Sequence, residues 1–153
     1  SGSVYVFRTT DGGATYVEVA KLTASDAASG DRFGDSVAID GNTVVVGAYF
    51  KNSESGSAYV FRTTDGGTTY DQVAKLIADF AASRDHFGRS VAIAGDTIVV
   101  GARQYNNGGS GVAYVFEEES GWWDYFSSDA AARALPSAMI LLAAAAVLAA
   151  ILA

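Results

Sequence analysis

The side chains in this sequence that could do chemistry are mostly carboxylates. Ser25, Asp26 and Asp31 lie in the stretch from Ala24 to Arg32, and Asp79 and Asp85 lie in a similar stretch from Ala78 to His86. Acids gathered this way could hold a cation or a polar ligand, but a hard divalent ion wants six to eight oxygens. Only Asp31 and Asp85 occupy matching positions in the two stretches, so the expectation is that both accept hydrogen bonds from loop amides beside a Phe-Gly pair. His86 is the single histidine and its counterpart is Arg32. A catalytic base needs a nucleophile or an orienting carboxylate within reach. No nucleophile motif accompanies His86, so it reads as a surface-loop side chain at a position that takes either base. The carboxylates are numerous enough for a glycosidase pair, yet nothing singles out two of them, and nearly all sit in turns or loops as on a solvated rim. Gly12-Gly13 and Gly108-Gly109 precede neither a phosphate-loop lysine nor a helix, and read as turn residues.

Composition removes further classes. Ten basic residues against 17 acidic ones give a formal charge of −7, the wrong sign for gripping phosphate backbones, so no nucleic-acid partner is expected. The absence of cysteine excludes disulfides, thiolate metal sites and thiol nucleophiles, and leaves the redox compartment open. Ser1 rather than methionine opens the sequence, as expected of a processed chain or a piece of a longer one.

What must position these residues is a repeat. Ser1-Gly-Ser-Val-Tyr-Val-Phe-Arg-Thr-Thr-Asp-Gly-Gly13 returns, 54 residues on, as Ser55-Gly-Ser-Ala-Tyr-Val-Phe-Arg-Thr-Thr-Asp-Gly-Gly67. The register holds through Val19-Ala-Lys-Leu22 and Val73-Ala-Lys-Leu76, Asp31-Arg-Phe-Gly34 and Asp85-His-Phe-Gly88, and Val45-Val-Gly-Ala48 and Val99-Val-Gly-Ala102, with about two-thirds of paired positions identical. A third copy opens at Gly109-Ser-Gly-Val-Ala-Tyr-Val-Phe116 and is then lost.

Each copy reads as four strands. Val4 to Arg8 leads into a reversal at Asp11-Gly-Gly13, Tyr16 to Thr23 follows, and Ser36 to Ile39 and Thr43 to Val46 flank Asp40-Gly41-Asn42. The fourth strand is continuously apolar, the mark of cover on both faces. No helical stripe runs through the first 120 residues. Four antiparallel strands in about 50 residues make a propeller blade, which cannot cover its own faces, and propellers need about four to eight of them. The expected fold is all-β: a partial β-propeller of two four-stranded antiparallel blades, residues 1–54 and 55–108, an incomplete third repeat over 109–126, and a C-terminal hydrophobic helix. Further blades are expected upstream or from another chain.

These residues resemble the FG-GAP repeats of integrin α-chain propellers and their relatives. Phe33-Gly34 and Phe87-Gly88 supply the FG element; Gly47-Ala48 and Gly101-Ala102 supply the GAP element without its proline. The resemblance implies a propeller ectodomain for adhesion, ligand binding or surface architecture, with protein or glycan partners. Integrin-type blades often carry a calcium loop in the hairpin between these elements. Here that hairpin is only Asp40-Gly41-Asn42 or Ala94-Gly95-Asp96, too short for the oxygens required, so no cofactor is expected.

After Phe116 the repeat gives way to Glu117-Glu-Glu-Ser-Gly-Trp-Trp-Asp-Tyr-Phe126, then a small and polar spacer over 127–133 and an uncharged stretch over 134–153. Trp122, Trp123, Tyr125 and Phe126 suit either a membrane interface or a second strand of the third copy. About 20 residues at 1.5 Å each span a bilayer's hydrocarbon, and Pro136 is tolerable in a first turn. Three readings stand: a transmembrane helix, though no Lys or Arg follows it; a GPI-attachment signal with Ser127 and Ser128 as candidate attachment residues; or a buried alanine-rich helix. The expectation is a non-catalytic, membrane-anchored module at the cell surface or outside the cell. The alternatives are a fragment of a propeller-bearing hydrolase and a non-functional truncated product.

Overall fold

The computed structural model of this chain describes residues 1–79, 82–103, 111–117 and 132–133. The β-branched and aromatic runs form β1 (Val4–Arg8), β2 (Val17–Leu22), β3 (Ser36–Asp40), β4 (Thr43–Ala48), β5 (Ser57–Arg62), β6 (Asp71–Ile77), β7 (Ser90–Ala94), β8 (Thr97–Ala102) and β9 (Val112–Glu117), with a two-residue β10 (Ala132–Arg133). A tight turn at Lys51–Glu54 resembles a helix only nominally, because Asn52 and Ser53 hold left-handed backbone angles (φ 52° and 58°). The chain is all-β and its long strand pairs are antiparallel.

The strands that hydrogen-bond into one sheet do not come from one copy of the repeat. β1 pairs with β2 alone, β3 to β6 form one sheet in order with β10 added beside β6, and β7, β8 and β9 form a third. The central sheet therefore takes β3 and β4 from the first copy and β5 and β6 from the second. Connection length explains the phase. Residues 49–56 join β4 to β5 by a short reversal, whereas residues 23–35 between β2 and β3 are long enough to carry the chain to the next sheet. The register slips by one residue between Val6 and Phe7 in β1 and between Val60 and Phe61 in β5, so both copies place a bulge at the same point.

Each core lies between two sheets. Val6, Leu22 and Ala24 from the first face Val44, Val46, Ala48, Tyr59 and Phe61 of the second, with Phe33 among them. On the second sheet's other side Val45, Ala58, Val60, Ala74 and Leu76 meet Phe87, Val100 and Ala102, with Tyr114 and Phe116 packed against them. β4 is thus covered on both faces, which is why it carries no alternation. Tyr59 and Phe61 are buried while their counterparts Tyr5 and Phe7, on the outer face of the first sheet, are about half exposed. The loops 23–35, 49–56 and 78–89 lie at one end of the strands, and the tight turns at 9–16, 41–42, 63–70 and 95–96 at the other.

The expected C-terminal helix over 134–153 lies outside the described residues, as do Ser127, Ser128 and the aromatic stretch at 122–126. Among the described residues no helix is long and apolar enough to cross a membrane.

Candidate functional site

The eight motif residues form the joint between sheets. Phe33 packs edge-on against Tyr59 and Phe61 with centroids 5.6 and 6.0 Å away, and Phe87 repeats this with Tyr114 and Phe116 at 5.3 and 6.1 Å. The following glycine closes onto the GAP element: Gly34 N–H donates to Gly47 O at 3.0 Å and Gly88 N–H to Gly101 O at 3.1 Å. Glycine is required here for space as well as angle. A Cβ on Gly47 would overlap the Gly88 carbonyl, and one on Gly88 (φ 86°) would overlap the Ser57 carbonyl. Ala48 and Ala102 are buried beside these contacts.

The carboxylates of the long loops divide into two kinds. Asp31 accepts from Ala28 N–H at 2.7 Å and Asp85 from Ala82 N–H at 2.8 Å, both side chains buried, so each closes its own turn as the sequence suggested. Asp31 also receives the buried ammonium of Lys51 at 2.9 Å. Asp26 accepts from Tyr59 Oη at 2.7 Å and Lys75 Nζ at 2.6 Å. Partial burial works against its charge, but the hydrogen bonds from Lys75 and Tyr59 and the two nearby ammonium groups outweigh it and hold its carboxyl below the usual range. Burial, and then the bond to Asp26, push the Tyr59 phenol above its ordinary value. This network ties the 24–32 loop to the second sheet. Lys51 carried no signal in the sequence except that its position in the other copy is Tyr105.

At the same end of the strands is a cluster that the repeat pattern hides. Arg32 lies over Phe50 (4.3 Å to the ring centre) and bonds the Tyr49 hydroxyl; Arg89 lies over Tyr49 at 4.5 Å. His86 stacks on Phe50, with planes 7° apart, and its Nε2 is 3.1 Å from Glu54 Oε2. Its side chain is 13% exposed, so the expectation of a surface-loop histidine is corrected: stacking on Phe50 and edge contact with Tyr49 draw the ring inward. Arg32 and His86 both hold left-handed backbone (φ 55° each), which explains why matching positions turn a basic side chain the same way. Arg32 and Arg89 stay exposed. Two cations over aromatic faces suit acidic or planar polar ligands. The legible signal was departure from the repeat, since Tyr49-Phe50-Lys51 becomes Arg103-Gln104-Tyr105.

At the opposite end, Asp40 accepts from Gly95 N–H at 2.6 Å, joining neighbouring hairpins, each with two residues between its strands. Among the described residues no group of three or more acids and histidines converges as a metal site would require.

Sheets of antiparallel strands, stacked face to face and joined by a Phe-Gly and Gly-Ala contact once per repeat, are consistent with the blades of a β-propeller type of module. The FG-GAP repeat family matches residues 16–61 and 70–116, and the chain belongs to that family. The first matched segment runs from β2 through β5 and the second from β6 through β9, a third phase of the same repeat. No curated protein matches the chain.

Proposed function

We propose that this chain is part of a non-catalytic propeller at the cell surface or outside the cell, anchored through residues 134–153, whose loop end binds protein or glycan ligands. One observation carries the reading. The repeated buried residues, Phe33, Phe87 and the glycines beside them, serve sheet stacking, while the unrepeated Tyr49 and Phe50 gather the exposed Arg32 and Arg89 at the loop end. That division matches the general rule that a rigid scaffold supports loops that bind. Membership of the FG-GAP repeat family supports the module, and the uncharged tail supports the anchor.

The test is an array of acidic peptides and sulfated or sialylated glycans probed with the protein and with Arg32→Ala and Phe50→Ala. Binding that falls about tenfold in either variant, without product release from the bound ligand, supports the reading; turnover of a glycan would replace it with the hydrolase alternative. Expression in a secretory host with and without residues 134–153 reads out the anchor. Retention of the shortened chain at the surface would remove that part of the proposal.

A further inference from the structure

Among the described residues, a groove of about 410 Å³ lies on the third sheet at the end of β8 and the start of β9, bordered by Arg89, Ser90, Gly101, Ala102, Gly111 and Val112. The same groove one sheet earlier is filled by the chain itself. There Phe87 N–H donates to Ser55 O at 2.9 Å, Gly56 and Phe87 form a parallel bridge, and Ser36 Oγ donates to Gly88 O at 2.8 Å. Two glycines make room: a Cβ on Gly56 would overlap the Phe87 carbonyl, and one on Gly47 the Gly88 carbonyl.

All three features recur in the open groove. Gly101 takes the place of Gly47, with Ser90 Oγ beside it as Ser36 Oγ is beside Gly47. Gly111 takes the place of Gly56 and holds the same left-handed backbone, φ 80° against 91°. One feature is reversed. In the filled groove, the residue after the Phe-Gly pair, Arg89, reaches back to Asp35 at 3.2 Å. In the open groove the residue at Asp35's position is Arg89 itself, a cation.

We propose that this groove receives an extended Phe-Gly segment followed by an acidic residue, Phe-Gly-Asp or Phe-Gly-Glu, supplied by a further repeat of the same type. The occupant's glycine carbonyl accepts from Ser90, and its carboxylate meets Arg89. Charge thus alternates along the stack, acid to arginine to acid, so the groove discriminates among repeats that share the Phe-Gly pair. The inference rests on the stacked-repeat reading of the chain; it shares Arg89 with the loop-end cluster but is tested on a different ligand.

The chain's own first copy contains such a segment in Phe33-Gly34-Asp35, and a synthetic peptide of residues 29–40 is the probe. Titrated into the isotope-labelled chain, it is expected to shift the amides of Gly101, Ala102, Gly111, Val112 and Ala113. Replacing Gly34 by Ala in the peptide weakens binding about tenfold or more, because a Cβ there meets backbone. Replacing Asp35 by Arg weakens it roughly threefold at low salt, with the gap closing as salt rises. Because these changes are in the peptide, folding of the chain is not at issue; Ser90→Ala in the chain adds a loss of a few-fold. Absence of shifts at the groove, or equal binding by the Gly34→Ala peptide, overturns the proposal and leaves loop-end binding untouched, since that is read on a different probe.

Discussion

Ser36 donates its hydroxyl to the carbonyl oxygen of Gly88 across 2.8 Å, although 52 residues separate them. Ser36 opens the edge strand β3 of one sheet, and Gly88 lies in the loop entering the next. The contact is short because Gly47, between them, has no side chain. Stacking therefore depends on backbone approaching backbone, and the glycines that permit it should respond to substitution unlike the glycines of the turns.

Gly47→Ala places a methyl group against the Gly88 carbonyl, where rigid strands on both sides prevent relief, and should lower stability by about 2–3 kcal/mol. Gly66→Ala meets nothing within 4 Å and costs only its left-handed angle (φ 73°), about 1–2 kcal/mol. Urea midpoints of the two variants compare them, and a larger loss for Gly66→Ala would contradict the stacking argument.

Phe87 is fully buried, edge-on to Tyr114 and Phe116. Phe87→Ala should cost about 3–5 kcal/mol through lost burial and the cavity left behind. Thermal unfolding followed by aromatic circular dichroism is the check. A loss under about 0.5 kcal/mol, the range of surface changes, would mean that the sheets do not share this core.

Lys51 and Asp31 are each 6% exposed and 2.9 Å apart. Lys51→Met leaves the carboxylate buried against an apolar chain and should destabilise by about 3–5 kcal/mol. The double variant with Asp31→Asn should recover part of that loss, because the neutral amide can still accept from Ala28 N–H. Chemical denaturation of the four proteins in the cycle measures the coupling, and additivity would show that the pair does not interact.

Asp11 and Asp65 each close a turn by accepting from threonines. Thr15 leads for Asp11 through its hydroxyl, with Thr9 next, and Thr69 leads for Asp65 through its amide and hydroxyl. These bonds hold both carboxyls well below the usual range, and Asp26 is lowered as well. A carboxyl whose folded value is depressed adds stability above its unfolded value, about 3.9, and loses that contribution as pH falls through the folded value. Stability should thus be level with respect to these groups above about pH 5 and decline below about pH 4. Asp11→Asn should shallow the decline; an unchanged acid limb in unfolding measured from pH 2 to 7 would remove Asp11 from the account.

The all-β class, the strands and the family were legible in the sequence because they follow from short-range rules. Alternation, glycine turns and a 54-residue period are properties of neighbours along the chain. Val4–Arg8 was located to the residue, and β2 to within one residue at each end. Asp31 and Asp85 were legible as turn acceptors because their donors lie three residues away.

Which strands share a sheet was decided by tertiary structure, since a repeat fixes the period and leaves the phase free; the short 49–56 connection and the long 23–35 loop set it. The same holds for His86, whose burial comes from Phe50 and Tyr49 of the preceding copy, and for the Lys51 pair with Asp31. The sequence by itself determined the unit and its period, because backbone preference and hydrophobic alternation act locally. Only the stacking of one sheet on the next decided that Gly47 faces Gly88, that Arg89 faces Asp35, and that among the described residues the third sheet keeps an open groove, because those contacts join residues that no local rule relates.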